Sequence, residues 1–397
     1  MSRVLLRRLL PVLGALAVLV ATPAAAADEL PELPNTASGK CVDVSKATLA
    51  DKPWAQRTLL PERVWPLANG AGVLVAVLDS GVHGEGQLAG VVTGSGNDCA
   101  GHGTFVASLI AARPAANTGF VGLAPGATVL SVPANWTNAA AAITTALSMR
   151  ASVICLSAVV SQDSPELQAA VALAAKQGVP IVTPAFADTG NPAPVSVLQR
   201  MSGVITVAGV DPDGQDVIKP PAGAVVDVYA PGKAIVGLGP RGGQLVATGA
   251  GVATGFVAAT VALVRQYRPE LTPTQLKQRL IVTGYQQNTG TAARTIDPLA
   301  AVTAVAGTRA PVAVPVYVSA VPETPGPGGR TTALIVLAVS AGVIAAAVSV
   351  SVVVPRASRR GWRAASGHRP APLSPSASDT PRDERSAVPG RRGAGVA

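Results

Sequence analysis

Between residues 61 and 305, short runs of Val, Ile, Leu and Ala alternate with stretches of helical periodicity. GVLVAVLD at 72–79 is apolar almost throughout, as expected of a strand buried on both faces of a parallel sheet. GTFVASLIAAR at 103–113 has helical spacing. AAAAITTALSMR (139–150) predicts a helix and ASVICLS (151–157) a strand. SPELQAAVALAAKQG (164–178) predicts an amphipathic helix capped by Ser164 and closed by Gly178. Strands are predicted over 179–185, 203–210 and 225–231. This order implies an α/β fold, a parallel sheet covered by helices, with ligand chemistry at the carboxyl ends of the strands.

Two longer apolar runs lie outside this region. Leu9 to Val20 follows Arg3, Arg7 and Arg8 and precedes Ala25-Ala26-Ala27, the pattern of a secretory signal peptide over 1–27; an uncleaved anchor is the alternative. The run from 331 to 355 carries no charge, and about 20 residues suffice to cross a bilayer. Arg356, Arg359, Arg360 and Arg363 follow it, as the positive-inside rule expects on the cytoplasmic side. One C-terminal transmembrane helix is therefore expected, with the main domain outside the cytoplasm. An N-terminal extension (28–60), a Pro/Gly-rich linker (306–330) and a disordered basic tail (356–397) complete the organisation.

Charge changes the picture of partners. The 397 residues carry a net +9, of which +3 lies in residues 1–27 and +6 in 356–397. The remaining 328 residues hold 19 basic and 19 acidic side chains, so a nucleic-acid-binding body is excluded. Phe, Tyr and Trp make up only 3%, so the core must be built from aliphatic side chains. The length suits one domain of roughly 250 residues plus accessory segments. Three cysteines are too few for a disulfide-built scaffold.

Candidate chemistry centres on Asp79 and His102. Asp79 ends the first buried strand in AVLDSGV, where a carboxylate needs a partner. It could hold an imidazole or cap a turn. Of the three histidines, His83, His102 and His368, only His102 sits in a glycine-framed turn, GHGTFVAS, at the start of a helix. Cys155 lies within an apolar strand with no base beside it. No metal site with zinc or calcium spacing and no phosphate loop is present in the sequence, and no cofactor is expected.

AVLDSGV followed by GHGTFVAS resembles the Asp and His motifs of subtilisin-like serine proteases, and VDVYAPG at 226–232 resembles the segment before their nucleophile motif. The stretch 53–82, the DC pair before GHGT and both chain ends resemble the mycosins, the membrane-anchored subtilases of type VII secretion systems. The resemblance implies a subtilisin-like three-layer fold and a Cys41–Cys99 disulfide, against the alternative of three free thiols. It also implies partners among the secretion system's membrane components and a peptide in the cleft. The departures are in the chemistry. Where the family has its serine, ATGAGVATGFVAATVALVRQ (247–266) offers Gly251, or Gly249 in a shifted register, with Thr248 and Thr254 as nearby hydroxyls. The oxyanion asparagine falls on Ala187 in IVTPAFADTG, with Asn191 four residues on. LSAVV (156–160) lacks the glycines that let a peptide pair as an added strand. The expectation is a pseudoprotease with a remnant Asp79–His102 dyad; the alternative is an active serine endopeptidase with an unrecognised nucleophile.

Overall fold

A computed structural model describes residues 30–34, 41–94, 96–135, 137–190, 192–286 and 293–305, together with Ala338, Ala341 and Gly342. The chain divides into a unit of Met1–Pro315 and a unit of Val316–Ala397, and every element named below belongs to the first. Two short helices, α1 (Trp54–Leu59) and α2 (Pro61–Val64), lead into β1 (Leu74–Asp79) and β2 (Val92–Gly94). Helix α3 (His102–Ala111), β3 (Thr128–Pro133), α4 (Ala139–Ser148), β4 (Val153–Leu156), α5 (Pro165–Lys176) and β5 (Ile181–Pro184) follow. Then come β6 (Val204–Val210), β7 (Val228–Pro231), a hairpin of β8 (Ile235–Leu238) and β9 (Gln244–Ala247), and the long helix α6 (Ala250–Tyr267). Helix α7 (Pro273–Thr283), β10 (Arg294–Thr295) and α8 (Pro298–Thr303) close the domain.

Eight strands form one sheet in the order β10-β7-β6-β5-β4-β1-β3-β2, and each neighbouring pair is parallel. The pleat of β1 explains the layers. Val75 and Val77 face a core shared with Phe105, Leu109, Phe256 and Val257 of α3 and α6. Ala76 and Leu78 face the other side, against Ile143 and Leu147 of α4 and Leu167 and Val171 of α5. A strand buried on both faces reads as a continuous apolar run, which is why 72–79 was legible. All four phenylalanines, 105, 120, 186 and 256, are buried in the core.

Helix α6 is buried from Ala250 to Val264, apolar around its whole circumference as a central helix must be. Its small residues allow close approach: a Cβ on Gly255 would stand 3.3 Å from the Leu109 side chain of α3. Chain connections run from β1 towards β2 and β3 on one side and from β4 towards β5, β6 and β7 on the other. The carboxyl ends of β1 and β4 thus flank the point where strand order reverses, the usual place for a ligand crevice in an open α/β sheet.

The predicted elements are present with trimmed ends. Helix α5 has Ser164 as N-cap, its hydroxyl accepting from the Leu167 N–H at 3.1 Å. Its C-cap is Gln177 rather than Gly178, which follows at φ +74° in the left-handed region. The hairpin β8–β9 and strand β3 were not anticipated. The hairpin is built jointly with the N-terminal extension: the Leu33 N–H donates to Val246 O, the Val246 N–H to Pro31 O and the Gln244 N–H to Ala47 O. The segments expected as signal peptide, linker and tail, and Asn191, lie outside the described residues, as does 331–355 apart from its three described positions. Among the described residues no helix is long and apolar enough to cross a membrane.

Candidate active site

Asp79, the last residue of β1, is buried. Its Oδ1 accepts from the Ser80 N–H at 2.6 Å. Its Oδ2 lies 2.6 Å from His102 Nδ1 and also accepts from the Ser157 hydroxyl. Burial alone would push the Asp79 carboxyl up; the charge and hydrogen bond of His102, with the bonds from Ser157 and Ser80, hold it below the usual carboxylate range. Burial would likewise push the His102 imidazole down, but the Asp79 charge and hydrogen bond, aided by Asp98 and Asp188, hold it above its ordinary value. Donation from Nδ1 to Asp79 leaves the Nε2 lone pair free to act as a base.

The turn carrying His102 is held by Asp98, a buried carboxylate with four donors. Its Oδ1 accepts from the Ser80 hydroxyl and the Gly101 N–H, both at 2.7 Å. Its Oδ2 accepts from the Thr104 N–H at 2.8 Å and the Thr104 hydroxyl at 2.6 Å. Gly101 caps the helix at φ +79°, a left-handed conformation that suits glycine. A Cβ on Gly103 would run into the Gly81 carbonyl and stand 3.0 Å from Asp79 Cβ, so glycine is what lets the helix approach β1. Cys99, within this turn, is bridged to Cys41, and Cys155 is the one free cysteine, buried in β4. Burial, with the nearby Asp79 charge, pushes the Cys155 thiol up, away from the reactive thiolate.

His102 Nε2 faces the N-terminus of α6. A Cβ built on Gly251 would stand 3.4 Å from both Nε2 and Cε1 of His102, the place from which a nucleophile's side chain would meet the base. The same Cβ would be 2.6 Å from the Ser157 carbonyl oxygen, so even a methyl there requires backbone movement. A Cβ on Gly249 would point into the carboxylate of Asp188 instead. The neighbouring hydroxyls are engaged elsewhere: Thr248 Oγ1 accepts from the Ala234 N–H at 3.0 Å, and buried Thr254 Oγ1 donates to Ala250 O at 2.8 Å.

The side chain facing the first turn of α6 belongs to Asp188, which places Ala187 one residue short of it. Ala187 is half-buried and its N–H donates to Pro194 O at 2.8 Å. Asp188 Oδ1 accepts from the Ala250 N–H at 2.8 Å. Asp188 is solvent-exposed, but partial desolvation beside the helix raises its carboxyl, against the Ala250 and Gly251 N–H groups and the His102 charge. In the segment expected to dock peptide, Val160 is buried and its carbonyl accepts from the Val197 N–H at 2.9 Å, so it is already paired within the chain. Among the described residues no group of three or more His, Cys, Asp or Glu side chains is placed to hold a metal. A cavity of about 290 Å³ between residues 83–88, 115–118 and the β8–β9 turn does not include Asp79, His102 or Gly251 in its lining.

Sequence reasoning singled out Asp79, His102 and Gly251, which the fold brings together, and passed over Asp98, Ser157 and Asp188. Asp98 stood in the DC pair before GHGT. Asp188 stands one residue beyond the position assigned to the asparagine, and an acid just after a strand's carboxyl end was its only signal.

The Subtilase family model matches residues 70–295. Mycosin-4 of Mycobacterium tuberculosis is 33% identical over 340 residues, covering 68% of this chain and 74% of that protein. The crystal structure of MycP1 with its N-terminal propeptide removed is 28% identical, with a TM-score of 0.58, covering 66% of this chain and 100% of that one. A chain in the structure of the periplasmic assembly from the ESX-5 inner membrane complex is 26% identical, with a TM-score of 0.56, covering 71% and 91% respectively.

Proposed function

Because the chain belongs to the subtilase family and, within it, to the mycosins, we propose that it is a catalytically inactive subtilase acting as a structural or regulatory component of a type VII secretion membrane complex. One observation carries the inactivity: the residue standing 3.4 Å, by its would-be Cβ, from His102 Nε2 is Gly251, which has no hydroxyl to give up. Loss of the nucleophile from a serine triad lowers turnover on the order of 10⁶-fold. The engagement of Thr248 and Thr254 in local hydrogen bonds supports the same reading. What survives is scaffold: the sheet, the bridged N-terminal extension and the remnant dyad.

Residues 1–27 act as a cleaved signal peptide, 28–60 as the extension and 61–305 as the peptidase-like domain outside the cytoplasm. Residues 306–330 link it to a span at 331–355, and 356–397 form the cytoplasmic tail. The likeness to a chain of the ESX-5 periplasmic assembly supports partners among such membrane components. The competing reading, an active serine endopeptidase, needs a nucleophile outside the matched motif. A fluorophosphonate probe applied to the full-length chain in detergent separates the two. The expected result is labelling no greater than that of heat-denatured protein. Labelling that disappears in His102→Ala would overturn the proposal.

A further inference from the structure

In a hydrolase of this geometry the N–H of the nucleophile residue, at the start of its helix, is one of the donors that stabilise the oxyanion. Here that position is the Gly251 N–H, and the N–H of the residue before it, Ala250, donates to the Asp188 carboxylate at 2.8 Å. The neighbouring backbone is shaped for this contact. Gly249 leaves empty the space that any side chain at 249 would take from the Asp188 carboxylate, because its Cβ would collide with the carboxylate oxygens. Asp188 approaches from the carboxyl end of β5, while the dyad lies at the end of β1 and the start of α3, so three elements converge on one point.

We propose that Asp188 is a built-in occupant of the carbonyl-oxygen subsite, its carboxylate standing on the α6 N-terminus where a substrate's oxyanion would otherwise be held. A carboxylate matches an oxyanion in charge and in the donors it needs, and this one is tethered, so it competes without loss of translational freedom. A peptide carbonyl entering the cleft meets a filled site and a fixed negative charge. The subsite is thus closed to acyl transfer independently of the missing hydroxyl, and returning a serine to position 251 does not by itself reopen it. This inference rests on the reading of the chain as an inactive subtilase.

Two measurements test it. The charged groups acting on the His102 imidazole are Asp79 from β1, Asp98 from the turn before α3 and Asp188 from beyond β5. With only three histidines in the chain, His102 can be followed by its ring resonances in the full-length protein. Asp188→Asn is expected to lower the His102 pKa by about half a unit or more. An unmoved His102 places the carboxylate elsewhere and overturns the proposal.

The second measurement is the fluorophosphonate labelling rate of Gly251→Ser beside that of Gly251→Ser/Asp188→Asn, the latter restoring an amide donor to the subsite. The double variant is expected to label faster on the order of 10²-fold. Equal rates, or no labelling of either variant in chains whose histidines titrate normally, overturn the proposal. Labelling of the chain with native residues at both positions would instead sink the reading of inactivity, and the two comparisons would still decide the role of Asp188.

Discussion

Gly251 removes more than a hydroxyl from the site. The Ser157 carbonyl stands 2.6 Å from where a Cβ on residue 251 would be, and the Ser157 hydroxyl donates to the Asp79 carboxylate. The Asp79–His102 pair also bears on stability. His102 has a folded pKa above its unfolded value of about 6.5, so its contribution is complete below that pH and is lost as pH rises through the folded value. Asp79 has a folded pKa below its unfolded value of about 3.9, so its contribution is present above that pH and is lost as pH falls through the folded value. Both act together between about pH 4 and 6.5. The stability difference between the native chain and His102→Gln, read from guanidinium midpoints, should therefore be larger at pH 5.5 than at pH 8.5. A gap that is equal at the two values would mean that folding does not raise the affinity of His102 for its proton. Asp79 and His102 were readable because each sits in a contiguous motif. Ser157 and Asp188 were not, because their bonds reach 78 and 62 residues along the chain to partners that only folding brings near.

At the scale of elements, the turn that presents His102 is fastened from both sides. Asp98 gathers it from within, and the Cys41–Cys99 bridge with the Val42 N–H to Cys99 O bond fastens it to the N-terminal extension. The bridge spans 58 residues of sequence, and closing a loop of that size is worth about 4 kcal/mol in chain entropy. Replacing both cysteines by serine should lower the guanidinium midpoint accordingly, and amide exchange in residues 98–104 should speed up with it. An unchanged midpoint would show that the extension is held by its hydrogen bonds to the β8–β9 hairpin alone. That hairpin is also where sequence reading fell short. Strands of the central sheet announce themselves as unbroken apolar runs because they are buried on both faces. β8 and β9 are separated by Gly239, Pro240, Gly242 and Gly243, which read as loop, and they acquire their order from Leu33 and Ala47, some 200 residues away. Strand β3 was missed for a related reason, with Ser131 and Pro133 interrupting its run although its neighbours β1 and β2 bury it.

For the whole molecule, the distribution of charge says more than its total. A net +9 would suggest an acidic partner, yet the body between the two ends is neutral and the excess lies beside the two apolar segments. A neutral body has no long-range field to steer a polyanion, and under the topology proposed above the positive ends would fix orientation across a bilayer. This proposed topology sets the chemistry of the other parts: a disulfide persists outside the cytoplasm, and a tethered domain meets its partners at a membrane surface rather than by free diffusion. The full-length chain should stay in the membrane pellet through alkaline carbonate extraction. A chain ending at residue 330 should be released, with the thermal midpoint of its folded domain unchanged, because the described elements end at Thr303. Release of the full-length chain by carbonate would mean that 331–355 does not span, and the domain would then have to reach a secretion complex through its own surface alone.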